Sequence, residues 1–439
     1  MQIKNNRKVI LSAAVSLVMA AQAQGIEFYA AGIEATLDSQ ISLGSSWRVE
    51  SPDAALLAEE NTNNGDIRYD KSDAFSQVFK GSSDLQASFK NYGALVRAKY
   101  WYDAALENDS SQDDSNNHDL AKFSGLEIFD AFVYGEFDVL DMPLDIRLGK
   151  QVVSWGESTF IQGGVGAINS FDVGAFNRPG AKIKEAVIPT HLAFAGIGLS
   201  DNLSAEVFYQ LENRETVLDA CDTYFSTNDY ASAGCDNIST PAGDIQLDED
   251  GFRHANSDGQ FGLALRYLSE ALDTEFGFFA MNIHSRNPLV SATKATLDEL
   301  ALFTPNTLDN AVYNGTLNMV IGGADFNTLS PEEQGEAMVN TLTALTVNGA
   351  PSIGAKGLTF HIEYPEDIQI TGMSFNTTLA GVAVSGEVSH RIDQPIQIND
   401  SQLVLAGIAA DAVNSVVTGG ALLQGATPEQ AAAAGSAEV

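Results

Sequence analysis

Hydrophobic and polar residues alternate with a period of two over long stretches of this chain. In 33–49, Ile33, Ala35, Leu37, Ile41, Leu43, Trp47 and Val49 share one face, while Glu34, Thr36, Asp38, Gln40, Ser42 and Arg48 share the other. Successive side chains of a strand point to opposite sides, so this pattern predicts a long two-faced strand. Soluble strands average about five or six residues, whereas membrane-barrel strands run about nine to eleven inside the bilayer and project beyond it. The pattern recurs in 93–103, 142–155 (where Lys150 interrupts the apolar face), 202–214 and 379–391. Weaker versions occupy 75–91, 126–138, 187–199, 260–268, 273–285 and 367–375.

The joints between these segments separate a barrel from a sandwich, since both alternate. After every second strand the joint is short, at 91–93, 140–142, 200–201, 269–272 and 376–378. After the others it is long and polar, at 51–74, 106–125, 156–186, 215–259 and 286–366. Short turns on one side and long loops on the other are the mark of an up-and-down antiparallel transmembrane β-barrel. The expected fold class is therefore all-β, an incomplete barrel of eleven visible strands with short helices in its long outer loops or lumen. Bacterial barrels of this kind close with an even number of strands, so an odd count predicts a chain whose last strands are missing. The sequence agrees with that expectation in ending at Val439 on an Ala-rich tail, with no closing strand or terminal aromatic residue.

The N-terminus predicts export. Lys4, Arg7 and Lys8 precede a short apolar stretch, 9–20, and Ala21-Gln22-Ala23 supplies a small-x-small cleavage pattern, which makes 1–23 a signal peptide and 24–439 the barrel. No cysteine follows the cleavage position, which argues against a lipid anchor. No later stretch approaches the roughly 18 apolar residues of a spanning helix. The expected location is the outer membrane of a Gram-negative cell, with its lipids as the first partner. The formal charge is −35, and losing Lys4, Arg7 and Lys8 brings it to −38. Such acidity excludes nucleic acid as a partner and argues against anionic lipid surfaces. The 23 Phe, 12 Tyr and 3 Trp argue against wholesale disorder.

Two cysteines, Cys221 and Cys235, lie in a polar stretch. In an oxidising compartment a disulfide is the natural reading, stabilising by about 3 kcal/mol through loop closure; two free thiols or half a metal site are the alternatives. The insert at about 287–365 changes period: Ser330-Pro331-Glu332-Glu333 is a capping pattern followed by Met338, Leu342 and Leu345 at helical spacing, and Gly349 suits the stop. A second short helix is expected at 296–303, and the tail, about 401–439, repeats the capping pattern at Thr427-Pro428-Glu429-Gln430. Such helices either plug the lumen or cap the outside.

Candidate chemistry is sparse. The acidic stretches 108–119 and 248–251 invite a calcium reading but lack the spacing of a calcium loop, and a solvated outer loop is the alternative. His390 and His284 each have a serine neighbour that faces the opposite side of the strand, so neither makes a nucleophile–base pair there. No enzyme, metal or cofactor is expected. The period-two faces instead nominate lumen-lining residues: Arg97, Lys99, Asp145, Arg147, Gln151, Trp155, Glu206, Glu387 and Arg391. An inward Arg147 in so acidic a chain calls for a partner, Asp145 or Glu206, or else lines the path.

Several motifs carry a resemblance. The 149–160 run Gly-Lys-Gln-Val-Val-Ser-Trp-Gly-Glu-Ser-Thr-Phe, Arg178-Pro179-Gly180 through Glu185-Ala186-Val187-Ile188-Pro189, Cys221-Asp222-Thr223-Tyr224-Phe225, Glu363-Tyr364-Pro365-Glu366-Asp367 through Gly372, and 387–391 with 393–397 resemble the proteobacterial family called domain of unknown function 1302. The resemblance implies a large outer-membrane barrel that usually continues through further strands. It also implies association with a periplasmic protein resembling lipoprotein-sorting proteins and with efflux-type inner-membrane transporters, and it carries no catalytic residues. The expected function is transport of small hydrophobic or amphipathic molecules, as an uptake channel or the outer part of an export route. A structural or interaction barrel, whose disulfide-tied outer loops bind a partner or divalent cations, is the other expectation.

Overall fold

The computed structural model describes residues 14–22, 25–58, 61–157, 163–226, 228–235, 237–239, 244–293 and 359–397. Its strands in chain order are β1 (Ala14–Gln22), β2 (Ile26–Ala30), β3 (Ile33–Arg48), β4 (Ala74–Phe89), β5 (Tyr92–Asp103), β6 (Ser124–Val139), β7 (Met142–Gln151), β8 (Ser170–Phe171), β9 (Val187–Ile188) and β10 (Thr190–Ser200). They continue as β11 (Leu203–Gln210), β12 (Asn237–Ile238), β13 (Ile245–Arg253), β14 (Phe261–Ser269), β15 (Thr274–Ile283), β16 (Leu289–Thr293), β17 (Thr359–Glu363), β18 (Ile368–Leu379) and β19 (Val382–Ile392). The described residues fall into two compact units, one holding a large sheet and the other, which includes 237–239, 244–253, 289–293 and 359–363, a small one.

The large sheet is an antiparallel meander in the order β1-β3-β4-β5-β6-β7-β10-β11-β14-β15-β18-β19, with β2 also on β3. All eleven strands expected from alternation are present in sequence order. Their ends differ by a few residues: β7 stops at Gln151 rather than 155 and β11 at Gln210 rather than 214. Gly149 has φ 133, and Lys150 beyond it is buried, donating to Glu127 Oε1 (2.8 Å) and Ile128 O (2.7 Å) instead of joining the exposed apolar face. The turns joining the strands are tight. Leu140 (φ 56) and Asp141 (φ 62), like Ala380 (φ 50) and Gly381 (φ 81), have the paired positive φ of a hairpin whose twist matches its strands.

Two strands of the large sheet, β1 and β2, are not among the eleven expected, and they change the count. β2 joins β3 through Ala31-Gly32, both at positive φ, and pairs Ile26–Ala30 with 37–33; β1 pairs 14–22 with 48–40. β1 and β2 thus share one sheet position, so twelve positions exist and the odd count behind the expected missing strands does not stand. Ile-Glu-Phe-Tyr-Ala is too short to show alternation, and β1 falls in the predicted leader. β1 and β2 are not paired with β19 among the described residues.

Exposure along the sheet is the reverse of a soluble strand. On β3 the apolar Ile41 and Leu43 are 43% and 48% exposed, while Ser42 between them is 4%. On β4, Phe79 is 41% exposed and Lys80 6%. Phe261, Leu263, Leu265 and Tyr267 of β14 repeat the exposed apolar face. The opposite face is covered by the chain itself. Val153, Trp155, Val165, Ile168, Leu192, Phe208, Phe279 and Ile370 form one apolar cluster against it, and Val78, Trp101, Leu120, Phe129, Ile188 and Val217 form another.

The small sheet has the order β12-β13-β17-β16, with β13 and β17 parallel. It corrects two expectations. The 248–251 acidic stretch belongs to β13, not to a solvated loop, and the 287–365 insert begins and ends as strands β16 and β17. Thr and β-branched or aromatic residues at 289–293 and 359–363 favour a pleated surface over a helix. The helices expected at 296–303 and 330–349, and in the 401–439 tail, lie outside the described residues.

Candidate functional site

The long joint between β7 and β10 does not project away from the sheet. Residues 163–189 lie across its polar face as a 3-10 turn (Val165–Ile168), the β8–β9 pair, and two single-turn helices, α1 (Val173–Asn177) and α2 (Ile183–Ala186). Asp172 caps α1 through Ala175 N at 2.9 Å. Gly180 (φ 71) after Pro179 turns the chain between the helices.

Ion pairs and hydrogen bonds seat this inserted segment on strands at both ends of the sheet order. Lys99 Nζ of β5 donates to Asp172 Oδ2 at 2.7 Å and to Glu185 O at 3.0 Å, and lies 4.2 Å over the Phe129 ring. Lys80 of β4 pairs with Glu185 at 2.7 Å, and Lys182 donates to Gln40 Oε1 of β3 at 2.5 Å. From the far end, the Glu387 carboxylate of β19 accepts from Glu157 N at 2.9 Å and Val165 N at 2.7 Å. A Cβ at Gly156 would collide with that carboxylate, so the bare backbone there is required. One segment touching both β3 and β19 means the sheet curls around it.

The remaining polar face is held by cross-strand networks. Arg97 bridges Asp84 (2.8 Å) and Asp130 (2.7 Å), linking β4, β5 and β6. Trp155 Nε1 donates to Glu206 Oε2 at 2.6 Å, and Arg266 Nε to Glu206 Oε1 at 3.0 Å. Phe208, Phe279 and a bare Gly262 make room for the indole. Arg147 finds Asp145 at 2.7 Å, not Glu206, and lies 4.9 Å over Phe194. Gln151 is buried and donates to Leu192 O at 3.3 Å. Arg391 reaches Gln394 Oε1 at 2.5 Å. The nine predicted residues therefore line one face but do not converge. Lys99 and Glu387 hold the inserted segment, and Trp155 with Glu206 packs beneath it. Arg147 and Asp145 lie in a cavity of about 870 Å³ nearer the tight turns, with Gln86, Leu95, Phe132 and Tyr134.

Sequence reasoning missed the inserted segment's own contributions, Asp172, Lys182 and Glu185, because no periodicity marks a loop that folds inward. It also missed Arg286, just past β15. That guanidinium is buried and donates to Ile168 O (3.1 Å), Asn213 Oδ1 (2.9 Å) and Gln210 Oε1 (2.7 Å), all neutral acceptors. Burial pulls it down to about 10, against the opposing pull of Glu215. Asp130 was hidden by a bulge between Val96 and Ala98, which shifts the facing register of β6. Of the histidines, His284 is buried between Asp258 O (2.9 Å) and Asp367 N (3.1 Å), with no nucleophile at its ring.

Cys221 and Cys235 form a disulfide, with Cα atoms 5.9 Å apart. The stretch leading into the loop they close is bound to the inserted segment: Val217 N donates to Phe171 O (2.8 Å), Val173 N to Val217 O (2.9 Å), and Asn177 Nδ2 to Asp219 Oδ2 (2.7 Å). Burial, with the Asp172 charge adding to it, pushes the Asp219 carboxyl up to about 7, although Asn177 and Arg178 pull the other way.

No curated protein matches this chain. The sequence profile of the family described as "Protein of unknown function (DUF1302)" matches residues 6–434. With nearly its whole length covered, and with the motifs at Trp155-Gly156, Pro179-Gly180 and the cysteine loop serving the seating just described, the chain belongs to the DUF1302 family.

Proposed function

We propose that this chain is an outer-membrane β-barrel through which small hydrophobic or amphipathic molecules pass, with residues 163–189 as its constriction. The observation that carries the reading is the inverted exposure of the large sheet. A Leu- or Phe-sized side chain left in water forgoes about 1.5–3 kcal/mol of transfer free energy. Here Phe79, Leu85, Leu126, Val133, Leu148, Leu263 and Val388 all face outward, on strand after strand. Soluble surfaces rarely carry contiguous apolar patches beyond a few hundred Å². Hydrocarbon would satisfy that face, and strand-to-strand pairing would satisfy the backbone within it.

The interior supports passage rather than a purely structural wall. The inserted segment narrows the polar interior, and nearer the turns the wall opens into the 870 Å³ cavity. Phe176 and Ile183 are exposed on the inserted segment, next to lysines at 182 and 184 that reach the wall at Gln40 and Asp84. An apolar projection among fixed charges suits a solute with an apolar body better than a simple ion. Outer-membrane lipids are then the first partner. A periplasmic sorting-like protein and an efflux-type transporter are the partners through which the same barrel would serve export.

The test is reconstitution into planar bilayers and dye-loaded vesicles. The expected result is small conductance steps together with passage of an uncharged hydrophobic dye. Replacing 173–186 with a short Gly-Ser linker is expected to raise the conductance several-fold. A chain that inserts but passes neither ions nor dye would overturn the reading.

A further inference from the structure

The root of the disulfide loop and the inserted segment are hydrogen-bonded as one piece. Residue 217 bridges to Asp172 in parallel, Phe171 N donates to Thr216 Oγ1 at 3.3 Å, and Asn177 closes the far side on Asp219. Across the loop, Ser232 Oγ donates to Asp219 O at 2.6 Å, three residues before the second cysteine. Asp219 is therefore where three parts meet: α1, the loop root and the disulfide-tied return.

Its surroundings are short of positive charge. A Cβ placed on Gly174 would stand 3.5 Å from Asp172 Oδ1 and 3.6 Å from Asp219 Oδ1, so the two carboxylates look at the same point across a bare glycine. Asp172 is already matched to Lys99. Arg178 lies over Trp101 at 4.7 Å and gives its hydrogen bonds to the carbonyls of Leu120 and Lys122. Lys122 pairs with Asp119. Asp103 is held by Ser76 and Gln77 N, and adds a second acid to the small cavity of about 60 Å³ that Asp219 faces. Tyr224, from the same loop, is raised further above the neutral range by burial and stays uncharged.

We propose that the disulfide loop and the inserted segment act as a single gate, closed when the Asp219 carboxyl holds a proton and loosened when it loses it. The protonated carboxyl can keep the Asn177 hydrogen bond at no electrostatic cost. The carboxylate stands with the Asp172 carboxylate at the same bare Gly174, and their repulsion acts on the residue that caps α1 and seats it on β5. Because burial places the Asp219 titration near 7, the change falls within the ordinary pH range. The gate rests on the transport reading above; the joint itself does not.

Two measurements on the full chain test this. Single-channel conductance between pH 5 and 9 is expected to rise several-fold through about pH 7, and Asp219→Asn, which keeps a hydrogen-bonding side chain without a charge, is expected to stay at the low level throughout. Hydrogen exchange of 171–177 in detergent micelles, corrected for the intrinsic pH dependence of exchange, is expected to accelerate over the same interval in the parent and not in Asp219→Asn. A conducting chain whose profile is flat, or unchanged in Asp219→Asn, overturns the gate and leaves the transport reading intact. No conductance at any pH, with exchange still switching at Asp219, overturns the transport reading and keeps the joint.

Discussion

The two faces of the large sheet obey different rules. Outward, residues such as Leu43, Leu148, Leu265 and Val388 share only a property: each is apolar and exposed. Inward, the buried or half-buried cations of several strands are tied to particular partners: Lys99 to Asp172, Lys80 to Glu185, Arg97 to Asp84 and Asp130, Arg266 to Glu206. A face that meets a solvent needs the right kind of residue, and one apolar side chain can replace another. A face that meets a folded segment needs a particular residue at a particular position, because an unpaired buried charge costs several kcal/mol.

That contrast can be broken most sharply inside. Lys99→Met leaves Asp172, which is fully buried, without its cation, and is expected to cost about 3–5 kcal/mol in the seating of the inserted segment. Protease sensitivity of 163–189 in micelles would show it, and Lys99→Met with Asp172→Asn should recover most of the loss. Outside, Leu265→Ala is expected to be mild, whereas Leu265→Arg should destabilise by about 2–4 kcal/mol in lipid, falling towards zero in urea-free detergent-poor buffer where no hydrocarbon exists. Urea-dependent folding into vesicles measures the difference; equal effects of the two substitutions in lipid would remove the case for a hydrocarbon-facing surface.

The Asp219 joint gives a pH dependence of known sign. A carboxyl raised to about 7 in the folded state from 3.8 opposes folding once ionised. Stability of the loop region is thus expected to be greatest below about pH 4, to fall as pH rises towards 7, and to level off above it. Asp219→Asn should flatten that decline and be the more stable form at pH 8, read by the thermal midpoint of the region. Trp155→Phe removes one charge-assisted hydrogen bond while Glu206 keeps Arg266, so about 1.5 kcal/mol is expected, seen as a small loss in the same unfolding assay. Arg147→Ala, at a partly exposed pair, should cost less than about 1 kcal/mol while altering ion selectivity, because its place is the open cavity and not the seat of the segment.

The outward face was legible in the sequence, and the inward one only in part. Alternation located all eleven anticipated strands, since a strand with one apolar side must repeat every two residues wherever it sits. It grouped Arg97, Lys99, Arg147, Glu206 and Glu387 on the polar faces of their strands for the same reason. It did not find β2, because five residues joined by a two-residue turn carry too little periodicity, nor Asp130, because a bulge breaks the two-residue repeat there. It took 156–186 for an outer loop, since polarity and length say that a segment is irregular but not which way it folds.

What the sequence determined by itself is therefore what a repeating environment imposes: strands, their two faces, the tight turns between them and the family to which the motifs belong. What only the tertiary structure decided is which polar residues meet. Lys99 and Asp172 are 73 residues apart, and Glu387 and Val165 are 222. No local preference encodes such pairs. They follow from the curling of the sheet, which brings β3 and β19 to the same inserted segment and lets that segment discharge its buried charges and its unpaired backbone N–H groups on both.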